Sequence, residues 1–343
     1  MTGGVAPPSG LDLETVRILL ARLGISAEDL LAGVAPKVVP TFDEYIDKVE
    51  SAVPAGTRRA YLSYWRRIRA HWGQRRLDEP TASEIKQIAE STRTAAIVRS
   101  NSRSGRSAAE HMIAALRCLY RHAIDDGLLP ESANPALRVP KPRRLESTRR
   151  ALTDAQLAQI TGVVCTTGND SELDTLLLRL HIETACRRGG AIALRPVDLD
   201  VEQGLIRLRE KGETVRWQPV SPTLMQHLIE HNRQRGGGQN EQLLRYRNGR
   251  PISRRRYDYI WQRVGQHLPW VAAQGVSTHW LRHTTLTWVE RNLGYAIARA
   301  FAGHTGRNDA GTTSTYVKAD IHEVATATAA LTGEPHPLSN AGS

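Results

Sequence analysis

Residues 133–150, ANPALRVPKPRRLESTRR, carry prolines at 135, 140 and 142 together with six Arg or Lys residues. Proline fixes its own φ and drives the preceding residue out of the helical region, so no helix runs through this stretch. In a chain of 343 residues the break separates two domains. The boundaries read from sequence are an N-terminal helical extension at 1–36, a helical domain at 37–137, a linker at 138–150, a second domain at 151–335 and a flexible tail at 336–343.

Before the linker the pattern is helical throughout. Residues 11–33 read as two short helices, with Ser26 and Asp29 spaced as a capping pair. Helices are predicted at 41–52, 57–72, 81–91 and 107–127, with Thr57 and Thr81 as N-caps. A Ser/Arg-rich loop separates the last two. After the linker Thr153 caps a further helix, and the apolar run around 173–194 continues as helix. Residues 204–221, GLIRLREKGETVRWQPVS, alternate apolar and polar with Gly212 near the middle. That pattern predicts a hairpin or small sheet with Lys211 at its turn. Helices return at 222–235, 254–267, 279–292 and 294–302. The fold class is mainly α in two domains, the second mixed α/β with a small antiparallel sheet.

Charge narrows the function. The chain holds 46 Lys plus Arg against 35 Asp plus Glu, a formal net charge of +11. Residues 57–76 contain seven arginines and no acid, and residues 243–263 contain seven arginines and one Asp. Arginine outranks lysine where phosphate is gripped in a bidentate geometry. A run of charge is usually a solvated face, but two acid-poor arginine clusters point to nucleic acid. The candidate DNA contacts are Arg58, Arg59, Arg66, Arg67, Arg69, Arg103, Arg106, Arg254, Arg255 and Arg256. Cys118, Cys165 and Cys186 lack CxxC spacing and predict reduced thiols, neither a disulfide framework nor a zinc site. MTGGVAPPSG does not read as a secretory signal, and no run approaches the roughly 18 apolar residues of a membrane span. A cytoplasmic, nucleoid-associated protein with no membrane partner is expected.

Residues 181–200, HIETACRRGGAIALRPVDLD, set two adjacent arginines inside an apolar stretch. A semi-buried arginine needs an anion, and Asp198 or Asp200 would serve Arg187 as well as a ligand would. TACRRGGAIALRPVDLD, however, resembles the first arginine box of the tyrosine recombinase (phage integrase) family, with Arg187 at the catalytic position and Arg188 turned outward toward solvent or DNA. HWLRHTTLTW at 279–288 is similar to the second box and matches His279 and Arg282. AGHTG supplies His304, TSTYVKAD at 313–320 supplies Tyr316 as nucleophile, and Lys211 stands where the family keeps its lysine. Two positions depart from the family pattern: Gly190 replaces its acidic residue and Ala185 its usual glycine.

The resemblance implies a helical core-binding (SAM-like) domain and a mixed α/β tyrosine-recombinase catalytic domain. It implies a site-specific recombinase that cuts and rejoins duplex DNA through a 3′-phosphotyrosine, as a homotetramer passing through a Holliday junction. The alternatives are a catalytically idle DNA-binding accessory protein of the same fold, and a type IB topoisomerase. The residue types suit the chemistry. Arg187 and Arg282 present paired N–H donors to non-bridging oxygens as charge builds, and His304 adds a donor. His279 holds the nucleophile's proton or orients the phosphate, and Lys211 protonates the leaving 5′ oxygen. No metal or other cofactor is expected: His279 and His283 share a helix face, but Trp280 stands where a zincin motif has Glu. The apolar residues of 321–333 form a segment too short to be stable alone, expected to dock on a neighbouring protomer.

Overall fold

The computed structural model describes residues 10–26, 38–96, 105–142, 150–210, 214–303 and 319–339. The chain divides into two compact units, Met1–Arg144 and Leu145–Ser343.

The first unit contains α1 (Gly10–Leu23), α2 (Phe42–Ala52), α3 (Ala55–Trp72), α4 (Ala82–Thr94) and α5 (Arg106–Asp125). Thr41 and Thr81 each close a capping box, with Glu44 and Glu84 reaching back to the cap backbone, so both helices begin with their first donors satisfied. Thr57 is not a cap: α3 starts two residues earlier, after Pro54. Along α3 the buried or partly buried Tyr61, Trp65, Ile68 and Trp72 recur every three or four residues and face the core, which leaves Arg58, Arg59 and Arg66 on the solvent side. Trp65 and Ile68 pack with Phe42, Ile85, Met112 and Leu116, each fully buried. Each such side chain contributes roughly 1.5–3 kcal/mol. The helix expected after Ser26 lies outside the described residues.

The second unit opens with α6 (Asp154–Thr166), capped by Thr153, and α7 (Ser171–Thr184). Helix does not continue through residue 194 as the apolar pattern suggests. α7 stops at Thr184, Ala185 takes the left-handed conformation at φ +49°, and a short α8 (Arg188–Ile192) follows. A three-stranded antiparallel sheet comes next: β1 (Leu199–Asp200), β2 (Leu205–Arg209) and β3 (Val215–Pro219), in that spatial order. Then come α9 (Pro222–Arg235), α10 (Arg254–His267), α11 (Pro269–Gln274), α12 (Thr278–Leu293), α13 (Tyr295–Phe301) and α14 (Ile321–Thr332).

α14 does dock, but on its own unit. It lies on β3, α7, α12 and α13 and buries Val324, Ala325, Ala327 and Thr328. In the single chain its apolar stripe matches the cluster of Ala185, Val289, Ala298 and Phe301. The start of the expected flexible tail is also held. Its first residue, buried His336, lies 3.0 Å from the Gly204 carbonyl through Nε2, and Glu334 just before the tail accepts from Arg179 (2.7 Å) and the Thr223 backbone (3.0 Å).

Candidate active site

Four pieces of the second unit place charged groups around one point. Arg187 follows the break after α7 and forms the N-cap position of α8. Glu210 follows β2, and its backbone N–H donates to the Thr214 carbonyl (2.8 Å), closing the base of the hairpin loop. Arg216 sits in β3, and Arg282 in the second turn of α12.

Arg187 pairs with neither Asp198 nor Asp200. Its backbone N–H donates to Glu210 Oε1 at 2.7 Å, and its guanidinium Nη1 pairs with Glu210 Oε2. Asp198 is instead occupied by Arg195, Arg207 and Arg209. The Glu210 side chain is wholly buried, whereas Arg187 stays 37% exposed. Arg282 is buried; it donates to the Ala185 carbonyl and, at 2.7 Å, to the Ala302 carbonyl, with Nη1 3.9 Å from Glu210 Oε1. Arg216, also buried, donates to the Thr184 carbonyl (3.2 Å) and to Gln218 Oε1. Burial lowers the Arg282 pKa to about 10, with the nearby Arg187 charge adding to the fall and Glu210 opposing it. Arg282 therefore stays protonated at neutral pH. Burial likewise lowers Arg216, and Glu210 opposes that shift. Arg187 and Arg282 thus share one carboxylate, with the buried Arg216 charge also within its reach, and the balance favours an added anion.

His279 is exposed one turn before Arg282, on the same side of α12. Lys211, His304 and Tyr316 lie outside the described residues. Their described chain neighbours are part of the cluster: Glu210 precedes Lys211, and Gly303, which precedes His304, lies against Arg216. Two other tyrosines of this unit, Tyr257 and Tyr295, differ in setting. Tyr257 is buried against His181 (3.0 Å), and burial raises its pKa well above the ordinary value. Tyr295 is exposed at the start of α13 beside Arg299.

Glu210 and Arg216 escape sequence reading. In TVRWQP the apolar members of the alternation are Val215 and Trp217, which would ordinarily face the core. The structure inverts this: Val215 and Trp217 are exposed while Arg216 and Gln218 are buried. A buried arginine on the inner face of a strand is the signal, and only the strand's orientation discloses it.

The candidate DNA arginines divide. Arg58, Arg59 and Arg66 are exposed on α3, Arg67 is half-buried there, and Arg106 is exposed at the start of α5. Arg69 is held by Asp47 (2.6 Å) and Asp43 (3.4 Å). Arg188 does turn outward and reaches Asp258 at 3.4 Å. Arg254 and Arg255 are exposed in the first turn of α10. Arg256 is a correction: it is buried and donates to Asp174 (2.6 Å), Asn169 (2.7 Å) and the Asp170 carbonyl (3.1 Å), so it serves the interior. Arg245 and Arg263 of the same cluster are buried too, so part of that arginine run is core structure. Arg103 lies outside the described residues. Among the described residues, no group of three or more His, Cys, Asp or Glu is arranged to hold a metal, and no helix is long and apolar enough to cross a membrane.

Residues 150–323 match the model of the phage integrase family. The tyrosine recombinase XerC of Chlamydia trachomatis is 25% identical over 206 residues, which are 56% of this chain and 62% of that protein. XerC of Xanthomonas axonopodis pv. citri is 27% identical over 224 residues, 63% of this chain and 68% of that protein. Among solved structures, a lambda integrase tetramer bound to a Holliday junction superposes with a TM-score of 0.61 at 17% identity, covering 90% of this chain and 91% of that one. The Tn1549 transposon integrase in complex with circular intermediate DNA gives 0.60 at 16% identity, covering 82% and 95%. The two-domain integrase fold is therefore shared, and with half of its length inside the family model this chain belongs to the phage integrase family.

Proposed function

We propose that the chain is a site-specific DNA recombinase that cuts and rejoins duplex DNA through a 3′-phosphotyrosine. The observation that carries this reading is the meeting of Arg187 and Arg282 at the single carboxylate of Glu210, with buried Arg216 near enough to feel its charge. Two further arguments support it: family membership, and the similarity to XerC recombinases over somewhat more than half of the chain.

In this reading the Tyr316 oxygen attacks phosphorus and a P–O bond forms to the phenol oxygen. The bond from phosphorus to the 5′ oxygen breaks, and that oxygen leaves as a hydroxyl with a proton from Lys211. His279 takes the phenol proton. Arg187 and Arg282 offer N–H donors to the non-bridging oxygens, with His304 adding another. Reversal by a 5′-hydroxyl from another strand rejoins the DNA. Residues 37–137 form a DNA-binding helical domain, 138–150 the linker and 151–335 the catalytic domain. Arg58, Arg59, Arg66, Arg67, Arg69, Arg103, Arg106, Arg188, Arg254 and Arg255 contact phosphates.

Four copies act together on two duplexes, in the compartment that holds the DNA. In that assembly the C-terminal segment would link copies only by leaving the groove that α14 fills in its own unit. The test is capture from a pool of nicked duplexes of random sequence, without added metal and with EDTA present. Wild type is expected to accumulate a denaturation-resistant complex at a 3′ phosphate, and sequencing the trapped DNA gives the site. Joints between two duplexes carrying that site distinguish recombination from topoisomerase action. A pool that yields no covalent complex leaves a DNA-binding accessory protein.

A further inference from the structure

Gly190 is the third residue of α8, and it stands where the family pattern has an acid. The volume in front of it is not vacant. A Cβ built at Gly190 would lie 3.2 Å from Glu210 Cγ and 3.5 Å from Glu210 Oε1. A carboxylate extended from residue 190 and the one that Glu210 carries would therefore compete for a single space. Glu210 arrives there from the sheet rather than from α8, and it makes two contacts with one residue: Oε1 accepts from the Arg187 backbone and Oε2 pairs with its guanidinium. Gripped at backbone and head group together, Arg187 has one orientation left. Arg282 also approaches this carboxylate, its Nη1 3.9 Å from Oε1.

We propose that Glu210 is the positioning carboxylate of this active site, set between Arg187 and Arg282 in the space that Gly190 leaves open. The role rests on the recombinase reading. Without Glu210 the three guanidiniums would repel one another and splay. With it the cluster carries a net charge of +2, which matches the charge of a phosphodiester once a phenolate oxygen has added. Glu210 also immediately precedes Lys211, so the hairpin strand that supplies the carboxylate leads directly into the residue assigned as general acid.

Removing this charge should act in opposite directions on binding and chemistry. Glu210→Gln keeps the shape and an acceptor for the Arg187 N–H, and it leaves the cluster more positive. DNA binding is then expected to be unchanged or tighter, while misplacement of the arginines slows cleavage roughly 10²-fold at saturating DNA. The measurement is single-turnover cleavage of the nicked duplex recovered by covalent capture, alongside DNA affinity and a thermal melt. Glu210→Ala should be equally slow, and adding Gly190→Glu to it should restore the rate to within ~10-fold of wild type, because the new carboxylate refills the same volume. This double variant carries the test even if Glu210→Ala alone melts early. Cleavage by Glu210→Gln at the wild-type rate would overturn the role and leave the recombinase standing, as would a double variant no faster than Glu210→Ala. Failure of wild type on every duplex would remove the recombinase reading and this role with it.

Discussion

Arg254 and Arg256 are two residues apart on α10, the first exposed and the second buried. Arg256 and Arg263 share Asp174, whose side chain is wholly buried. Arg256→Ala leaves that carboxylate short of a partner and is expected to lower unfolding stability by about 3 kcal/mol, read from a denaturant melt. Arg254→Ala is expected to leave stability within about 0.5 kcal/mol and to weaken DNA binding instead. Equal destabilisation of both variants would contradict the division. His181 and His231 give a second handle, since burial lowers each pKa from 6.5 to about 4. The unfolded chain therefore binds more protons between pH 6.5 and 4, and stability falls as pH is lowered through that window, by on the order of 3 kcal/mol per histidine. The melting temperature of a His231→Gln variant should depend less steeply on pH over that range than that of wild type. At this scale the meeting of Arg187 and Arg282 is legible, because motif order pairs two arginines that both reach Glu210. The interior role of Arg256 is not, because a string of arginines does not say which member finds a buried carboxylate 82 residues earlier in the chain.

Elements are most legible where local chemistry closes on itself. Thr81 and Thr153 announce their helices through capping boxes with Glu84 and Gln156. The end of α7 is not legible, because it depends on Ala185 adopting a left-handed conformation that costs a non-glycine residue roughly 1–2 kcal/mol. What offsets the strain is the site: the Ala185 carbonyl accepts from Arg282, and its methyl sits in the cluster beneath α14. Gly303 shows the complementary case. At φ +67° it also lies so close to Arg216 that an added Cβ would stand 2.5 Å from Arg216 Cδ. Gly303→Ala is expected to displace Arg216 and the start of the segment that leads to His304, lowering stability by roughly 2 kcal/mol and slowing cleavage. A melt and a cleavage rate both at wild-type values would show that the packing there is slack. Truncation after Asp320 removes α14 together with Glu334 and His336, so the second unit itself should drop by more than about 5 °C in melting temperature. An unchanged melt would return the segment to a purely intermolecular role.

For the whole molecule, the division of the chain falls between Arg144 and Leu145, within the proline-bearing basic stretch. The mostly helical character and the small sheet are readable in the sequence, since periodicity and turn residues are local signals. What is not readable is how the second unit folds its C-terminal segment back on itself, because one chain's pattern shows an apolar stripe without its partner. Overall charge sets how the molecule should meet DNA: binding is expected to weaken steeply with salt. Neutralising Arg58, Arg59 and Arg66, which are exposed on α3, should flatten the log–log slope by roughly 0.9 for every phosphate that the variant no longer neutralises. Arg69 should add less, because Asp47 already holds it.

If this fold delivers a tyrosine oxygen to a phosphate held by arginines, the most direct measurement of that delivery is covalent trapping by Tyr316→Phe on the nicked duplex recovered with wild type. The substitution removes one oxygen and keeps the ring, so binding affinity and the thermal melt should match wild type while the denaturation-resistant complex disappears. Persistence of that complex in Tyr316→Phe would contradict the account.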